Sequence, residues 1–223
     1  MIEGQDLTVI TPSRWLADIA KRSFFSDCEI RVINNGIDLE VFKPTPSDVR
    51  ERYGVGDRAL IMGCSFDWDT RKGIDAFISL AGSLGDGYRI LLVGTNEELD
   101  KRLPKNIISI HRTRDQEELA ALYSAADLFV NPTMEENYPT VNLEAIACGT
   151  PVLTYNTGGS AEMLSDKVGL AVERGDITSL ESEIRRITAT RPFSREDCVS
   201  HARGFDRGLR FAEYVELYEN LKD

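Results

Sequence analysis

A chain of 223 residues, 42% hydrophobic and 28% charged, has the make-up of a soluble globular protein with room for one large α/β domain but not two complete ones. Its formal net charge of −11 argues against general nucleic-acid binding and against docking on an acidic membrane through the average field, while leaving room for one local basic pocket around a phosphate. The four cysteines, Cys28, Cys64, Cys148 and Cys198, are scattered without a C-x-x-C pair, which excludes metal-ligand spacing and points to free, mostly buried thiols in a reducing cytosol instead of a disulfide framework. Met1 to Leu7 has neither the basic start nor the apolar run of a signal peptide, and no stretch reaches the length of a membrane span.

In chain order, Leu7 to Ile10 reads as a strand. Thr11 and Pro12 then open a helix, with proline at the first helical position, where its missing N–H costs nothing. Trp15, Leu16, Ile19 and Ala20 recur there at helical spacing. Ile30 to Ile33 is the next strand, and the turn at Asn34, Asn35 and Gly36 with the stretch Lys43 to Pro46 marks a boundary between residues 1–43 and 44–223. Beyond it strands at Leu60 to Ser65, Tyr88 to Val93 and Ile107 to His111 alternate with a helix through Ile74, Phe77, Ile78, Ala81 and Leu84. Asp115 with Glu118 makes a capping-box-like start for a helix carrying Leu119, Leu122, Tyr123 and Ala126. Strands follow at Leu128 to Asn131, Pro151 to Tyr155 and Val168 to Val172, then a helix through Leu180, Ile184 and Ile187. A closing helix places Phe211, Tyr214, Val215, Tyr218 and Leu221 on one face. The alternation predicts an α/β fold: a Rossmann-like domain with a mostly parallel sheet and helices on both faces, preceded by a strand–helix–strand piece in residues 1–43.

The stretch from Thr133 to Val152 carries most of the functional information. Thr140 reads as an N-cap, Val141 to Cys148 as a helix and Gly149 as its stop. A helix opening at the carboxyl end of a parallel strand aims free N–H groups and partial positive charge into the crevice where such sheets bind ligands. An anion belongs there. Glu136 precedes the helix on a loop, and Glu144 falls in its first turn, with seven residues between them. Taken alone, Glu144 merely complements the helix dipole, Glu136 is a solvated loop acid, Lys72 is a surface charge, and Gly158 with Gly159 is a plain turn.

Taken together these segments resemble a known family. Glu136 and Glu144, followed by Ala147 to Val152 and Asn156 to Glu162, resemble the E-x7-E signature of retaining, nucleotide-sugar-dependent glycosyltransferases of the GT-B fold. More narrowly, they are similar to the group 1 family that builds bacterial surface polysaccharides. Val32 to Asp38 with Val41 to Pro44 resembles the segment linking that family's two domains, and Arg71, Lys72 and Gly73 resemble its donor-phosphate lysine loop. The matches are collinear from Ile30 to Glu162.

The resemblance implies that Glu144 accepts from the ribose hydroxyls of the donor and that Glu136 contacts the donor sugar. It implies that Lys72, aided by Arg71, neutralises the diphosphate together with the backbone N–H groups of Thr140 and Val141. Gly158 and Gly159 would lie near the sugar and diphosphate, and Thr113 and Arg114 would hold the base through backbone atoms. The donor would be a UDP- or GDP-sugar, with no metal or other cofactor. The acceptor would be a saccharide or a lipid-linked group, recognised by the domain of which residues 1–43 are the end. The expected location is the cytoplasm, with the full-length protein free to sit at the inner membrane face. Asp67 departs from the family's usual arginine, and Asn137 and Pro139 stand where many members have glycine.

Two other motifs are set aside. Asp67 and Asp69 look like a D-x-D metal site of another architecture, whose order of motifs is absent. Gly54 to Ala59 fits a dinucleotide fingerprint only on paper, since it precedes a strand, and this counts against an oxidoreductase. Two functions remain: the donor-binding part of a transferase, incomplete for efficient transfer alone, or a non-catalytic nucleotide- or sugar-binding module of the same fold. Exposed apolar faces on the Trp15 helix and the closing helix leave self-association open.

Overall fold

The computed structural model describes residues 7–221, so Met1 to Asp6, on which the reading of the amino terminus rests, lie outside the described residues. Strand β1 (Thr8–Thr11), helix α1 (Arg14–Ala20) and strand β2 (Glu29–Val32) form a small unit. Its two strands pair in parallel, with Thr8 opposite Glu29 and Thr11 opposite Val32. The helix opens two residues later than expected. Ser13, not Thr11, is the N-cap, so Pro12 stands outside the helix. Its buried residues are Ala17 and Ala20, while Trp15 and Ile19 stay more than a third exposed.

Residues 33–48 lead into the larger unit. Ile37 and Phe42 are buried in its core. The backbone of Ile37 is clamped by the far end of the chain, donating to Phe205 O at 2.9 Å and accepting from Arg207 N at 2.9 Å.

After α2 (Val49–Arg52) come β3 (Ala59–Cys64), α3 (Ile74–Ser83), β4 (Tyr88–Val93), α4 (Glu97–Asp100), β5 (Ile107–Ile110), α5 (Gln116–Ala125) and β6 (Leu128–Asn131). Then follow α6 (Thr140–Ala147), β7 (Val152–Tyr155), β8 (Gly169–Val172), α7 (Ile177–Thr190), α8 (Arg195–Ala202) and α9 (Arg207–Asn220). The six strands β3 to β8 make one sheet in the order β5-β4-β3-β6-β7-β8, and every pairing is parallel.

Runs such as Leu60 to Met62 and Leu128 to Val130 are apolar at every position because the sheet is covered on both faces. Leu60, Met62, Leu91 and Phe129 point to one side, against Leu122, Tyr123, Leu143 and Ile146 of α5 and α6. Their neighbours Ile61, Ile90, Leu128 and Val130 point to the other, against Phe77 and Leu80 of α3 and Leu180 and Ile184 of α7. Each side chain of this size taken fully out of water contributes about 1.5–3 kcal/mol.

Helix α5 departs from the expected capping box. Asp115 Oδ1 accepts from Glu118 N at 2.7 Å, but Glu118 returns to the N–H of Arg114, not to that of Asp115. Helix α9 turns Leu217 inward and leaves Phe211, Val215, Tyr218 and Leu221 each more than half exposed. Its apolar face is therefore uncovered among the described residues.

Candidate active site at the switch point of the sheet

Strand β3 sits between β4 and β6. From β3 the chain builds outward to β5, then returns to the other side of β3 as β6. The connections leaving the carboxyl ends of β3 and β6 therefore diverge, and a crevice opens between them. It measures ≈ 380 Å³ and is lined by Cys64, Asp67, Asp69, Arg71 and Lys72 from one loop and by Asn131, Glu136, Tyr138, Thr140 and Val141 from the other.

The loops are tied to each other before they reach the crevice. Arg71 O accepts from Met134 N at 2.7 Å and from Thr133 Oγ1 at 3.2 Å. Gly73, at φ +80°, begins α3 where a Cβ would fall 2.2 Å from the carbonyl oxygen of Pro132, so only glycine permits this approach. With the loops so fixed, Lys72 Nζ donates to Glu136 Oε2 at 2.7 Å, and Glu136 Oε1 accepts from Asn137 N at 3.0 Å. Both members of the pair remain partly open to solvent, at 39% and 22% side-chain exposure.

Helix α6 starts at Thr140 with Pro139 in the N-cap position, one residue earlier than read from the sequence, where Thr140 was the expected cap. Proline offers no side-chain acceptor, and no side chain caps the helix, so its leading amides face the crevice uncapped. Glu144 consequently lies in the second turn, and the first turn holds no acid. It is half-buried and does not line the crevice, and its Oε2 accepts from Tyr123 OH at 3.0 Å. Burial pushes the Glu144 carboxyl above the usual carboxylate range, against the opposing hydrogen bonds of Tyr123 and Thr140. Burial likewise pushes the Cys64 thiol up to about 12.

A buried amide chain anchors the start of α6. Asn131 Nδ2 donates to Asn142 Oδ1 at 2.9 Å, and Asn142 Nδ2 donates to Ser160 O at 3.3 Å. Sequence reasoning missed Asn131, Asn142 and Tyr123 as site residues. Asn142 carried a usable signal, an amide within an apolar helix that must find a buried partner. Tyr123 carried none, because its hydroxyl reaches Glu144 from another helix.

The remaining candidates are distributed unevenly. Arg71 turns to Asp69 Oδ2 at 2.9 Å, and Asp69 Oδ1 also accepts from Lys72 N at 2.9 Å. These contacts, the Lys72 amide foremost, hold the Asp69 carboxyl below its ordinary value. Gly158 and Gly159 stand behind the Glu136 loop, and Gly159 N donates to Asn137 O at 2.9 Å. Thr113 and Arg114 follow the edge strand β5 and do not line the crevice; both the backbone N–H and the side chain of Arg114 are engaged by Glu118.

A profile of the family "Glycosyl transferases group 1" matches residues 50–205, a span that contains both crevice loops and α6. The chain belongs to the group 1 glycosyltransferases. Among curated members it is 28% identical to the GDP-mannose-dependent alpha-(1-6)-phosphatidylinositol monomannoside mannosyltransferase of Mycolicibacterium smegmatis, over 95% of this chain and 63% of that protein. It is 25% identical to the D-inositol 3-phosphate glycosyltransferase of Corynebacterium urealyticum, over 99% of this chain and 58% of that protein. Sucrose-phosphate synthase from Thermosynechococcus elongatus superposes with a TM-score of 0.83 at 25% identity, over 96% of this chain and 58% of the synthase. Anabaena HepE in complex with UDP-glucose shares the fold, with a TM-score of 0.81 at 22% identity over 96% of this chain and 64% of HepE. The glycosyltransferase chain thus spans less than two thirds of the length of these proteins.

In this group 1 chain the crevice combines the ammonium of Lys72, the uncapped start of α6 and the carboxylates of Asp67, Asp69 and Glu136, while Glu144 lies outside the lining. Cation and amides suit an anion such as a diphosphate; carboxylates suit vicinal hydroxyls. Among the described residues no helix is long and apolar enough to cross a membrane.

Proposed function

We propose that this chain is the donor-binding part of a retaining glycosyltransferase that moves a sugar from a UDP- or GDP-sugar to a saccharide or lipid-linked acceptor. The observation that carries the reading is the pairing of Lys72 with Glu136 at 2.7 Å across the crevice into which α6 opens uncapped. A diphosphate drawn to the α6 amides would take the ammonium of Lys72 from Glu136. Oε2 of Glu136 would then be released to accept from a hydroxyl of the sugar. As the glycosidic bond breaks, charge grows on the departing diphosphate, and Lys72 with the helix start stabilises it where it forms. Glu144 holds the ribose from behind.

The names of the relatives support a nucleotide-sugar donor: GDP-mannose for the mycobacterial enzyme, UDP-glucose for HepE. Acceptor groups belong to the part of the relatives that this chain does not span, so nucleotide binding without efficient transfer is expected. One observation favours a second reading, a binding module without catalysis. Asp67 lines the crevice where the family usually has a cation, and Arg71 is committed to Asp69.

Calorimetric titration with UDP, UDP-glucose, GDP and GDP-mannose tests the first reading. Saturable binding of one pair, lost in Lys72→Ala and Glu144→Ala, is the expected result. A folded wild type that binds none of them would overturn it.

A further inference from the structure

The small amino-terminal unit touches the larger one next to Glu136. Glu162, on the turn after Gly158 and Gly159, reaches to the start of α1 and accepts from Arg14 N at 2.8 Å and from Trp15 N at 2.8 Å. Ser13, fully buried, accepts from Leu16 N at 3.1 Å and donates its hydroxyl proton to Asn137 Oδ1 at 2.6 Å. Asn137 follows Glu136 directly, and its carbonyl accepts from Gly159 N at 2.9 Å. Gly158, at φ +53°, packs so closely that a Cβ would fall 1.7 Å from Glu136 O and 3.5 Å from the Trp15 ring. Three segments far apart in sequence thus meet at one junction: the start of α1, the Glu136 loop and the Gly158–Glu162 turn.

The chemistry at this junction is specific. A carboxylate accepts from two N–H groups at once and complements the positive end of α1. An amide at position 162 would accept from one N–H and set its own NH2 against the other. The Glu136 loop is held on its near side by the bonds of Thr133 and Met134 to Arg71 and on its far side by the burial of Tyr138. Between those anchors, Asn137 is fixed by Ser13 on its side chain and by Gly159 on its backbone.

We infer that Ser13 and Glu162 are positioning residues that set the carboxylate of Glu136 against the donor sugar, so that the seating of α1 is transmitted to the sugar end of the site. This rests on the reading of Glu136 given above. Neither residue touches the donor; each acts through Asn137 or through the turn that supports it.

The test uses the full 223-residue chain with Glu162→Gln and Ser13→Ala. Hydrogen exchange of peptides covering residues 133–139 is expected to rise by about tenfold in both variants, and exchange over β4 to stay unchanged. Unaltered exchange over residues 133–139 in both variants overturns the inference, whatever nucleotides do. In calorimetry the gain in affinity of UDP-glucose over UDP, or of GDP-mannose over GDP, is expected to fall about fivefold in Glu162→Gln while the nucleoside diphosphate binds as before. A Glu136→Ala background should abolish that effect of Glu162→Gln, because the group being positioned is gone. Equal losses for the diphosphate and its sugar conjugate would overturn the positioning role and leave a general structural one. If the wild type binds no nucleotide, the donor-site reading falls and the exchange result alone decides the coupling.

Discussion

The larger hollow of the molecule lies at the amino ends of the strands, ≈ 810 Å³ against ≈ 380 Å³ for the crevice at their carboxyl ends. It is bordered by Arg50, Arg191 and Arg195, and by charge alone it looks the better anion site. Two of its three guanidinium groups are nevertheless spent, and the third, Arg191, is 80% exposed and lies 3.8 Å from Asp127 Oδ1. Arg50 donates to Ala125 O, Gly56 O and Arg58 O and to Asp127 Oδ2. Arg195 donates to Ser124 O and Cys148 O, at the carboxyl ends of α5 and α6. These arginines fasten helix ends and strand starts, as cations at helix C-termini do. In the smaller crevice Lys72 has one exchangeable partner, and the start of α6 has no capping side chain. A ligand site is marked by donors still available at a fixed place, and volume is a poor guide to it.

That contrast can be broken by exchanging the effects of its two ends. Lys72→Ala should weaken nucleoside diphosphate binding by about 100-fold, with little change in thermal midpoint, since a charge-assisted phosphate contact is lost and no packing is. An unchanged affinity would move the diphosphate elsewhere. Arg50→Ala should do the reverse. It strands carbonyls and Asp127, whose side chain also accepts from Leu60 N at 2.8 Å, and should cost about 2 kcal/mol in urea unfolding after allowance for partial exposure. Nucleotide affinity should stay within about twofold.

Smaller effects sharpen the picture. Burial raises the Glu144 carboxyl above its ordinary 4.5, so the folded protein keeps that proton to higher pH than the unfolded chain. The stability Glu144 contributes is complete below the unfolded value and is lost as pH rises through the raised one. Glu144→Gln has no proton to lose, so it should gain stability relative to wild type as pH rises past 4.5. A difference that is flat with pH would mean a solvated carboxylate. Last, alkylation of the native protein should reach Cys28 well before Cys148 and Cys198, both buried thiols pushed up to about 12. Mass mapping of the first labelled peptide decides it.

Local pattern carried most of the fold. Tyr88 to Val93 and Leu128 to Asn131 were read at their observed bounds, and the other strands within a residue or two, because a buried parallel strand is an apolar run closed by polar turns. The start of α6 slipped by one residue because threonine has the chemistry of a cap and proline does not, yet the chain turns at Pro139. That slip carried Glu144 from the first turn into the second and changed the reason for its presence.

The sequence by itself determined the alternation of strands and helices, and the loops and carboxylates that carry a family pattern, since these depend on neighbours a few residues apart. Only the tertiary structure decided that β3 and β6 part at the switch point, that Lys72 meets Glu136 across 64 residues, and that Tyr123 holds Glu144. It alone brought Glu162 to the start of α1, 147 residues away. Lys72 and Glu136 meet because the sheet order places β3 beside β6, and Glu162 meets α1 because the two-stranded unit packs against the six-stranded one; no local propensity encodes either arrangement.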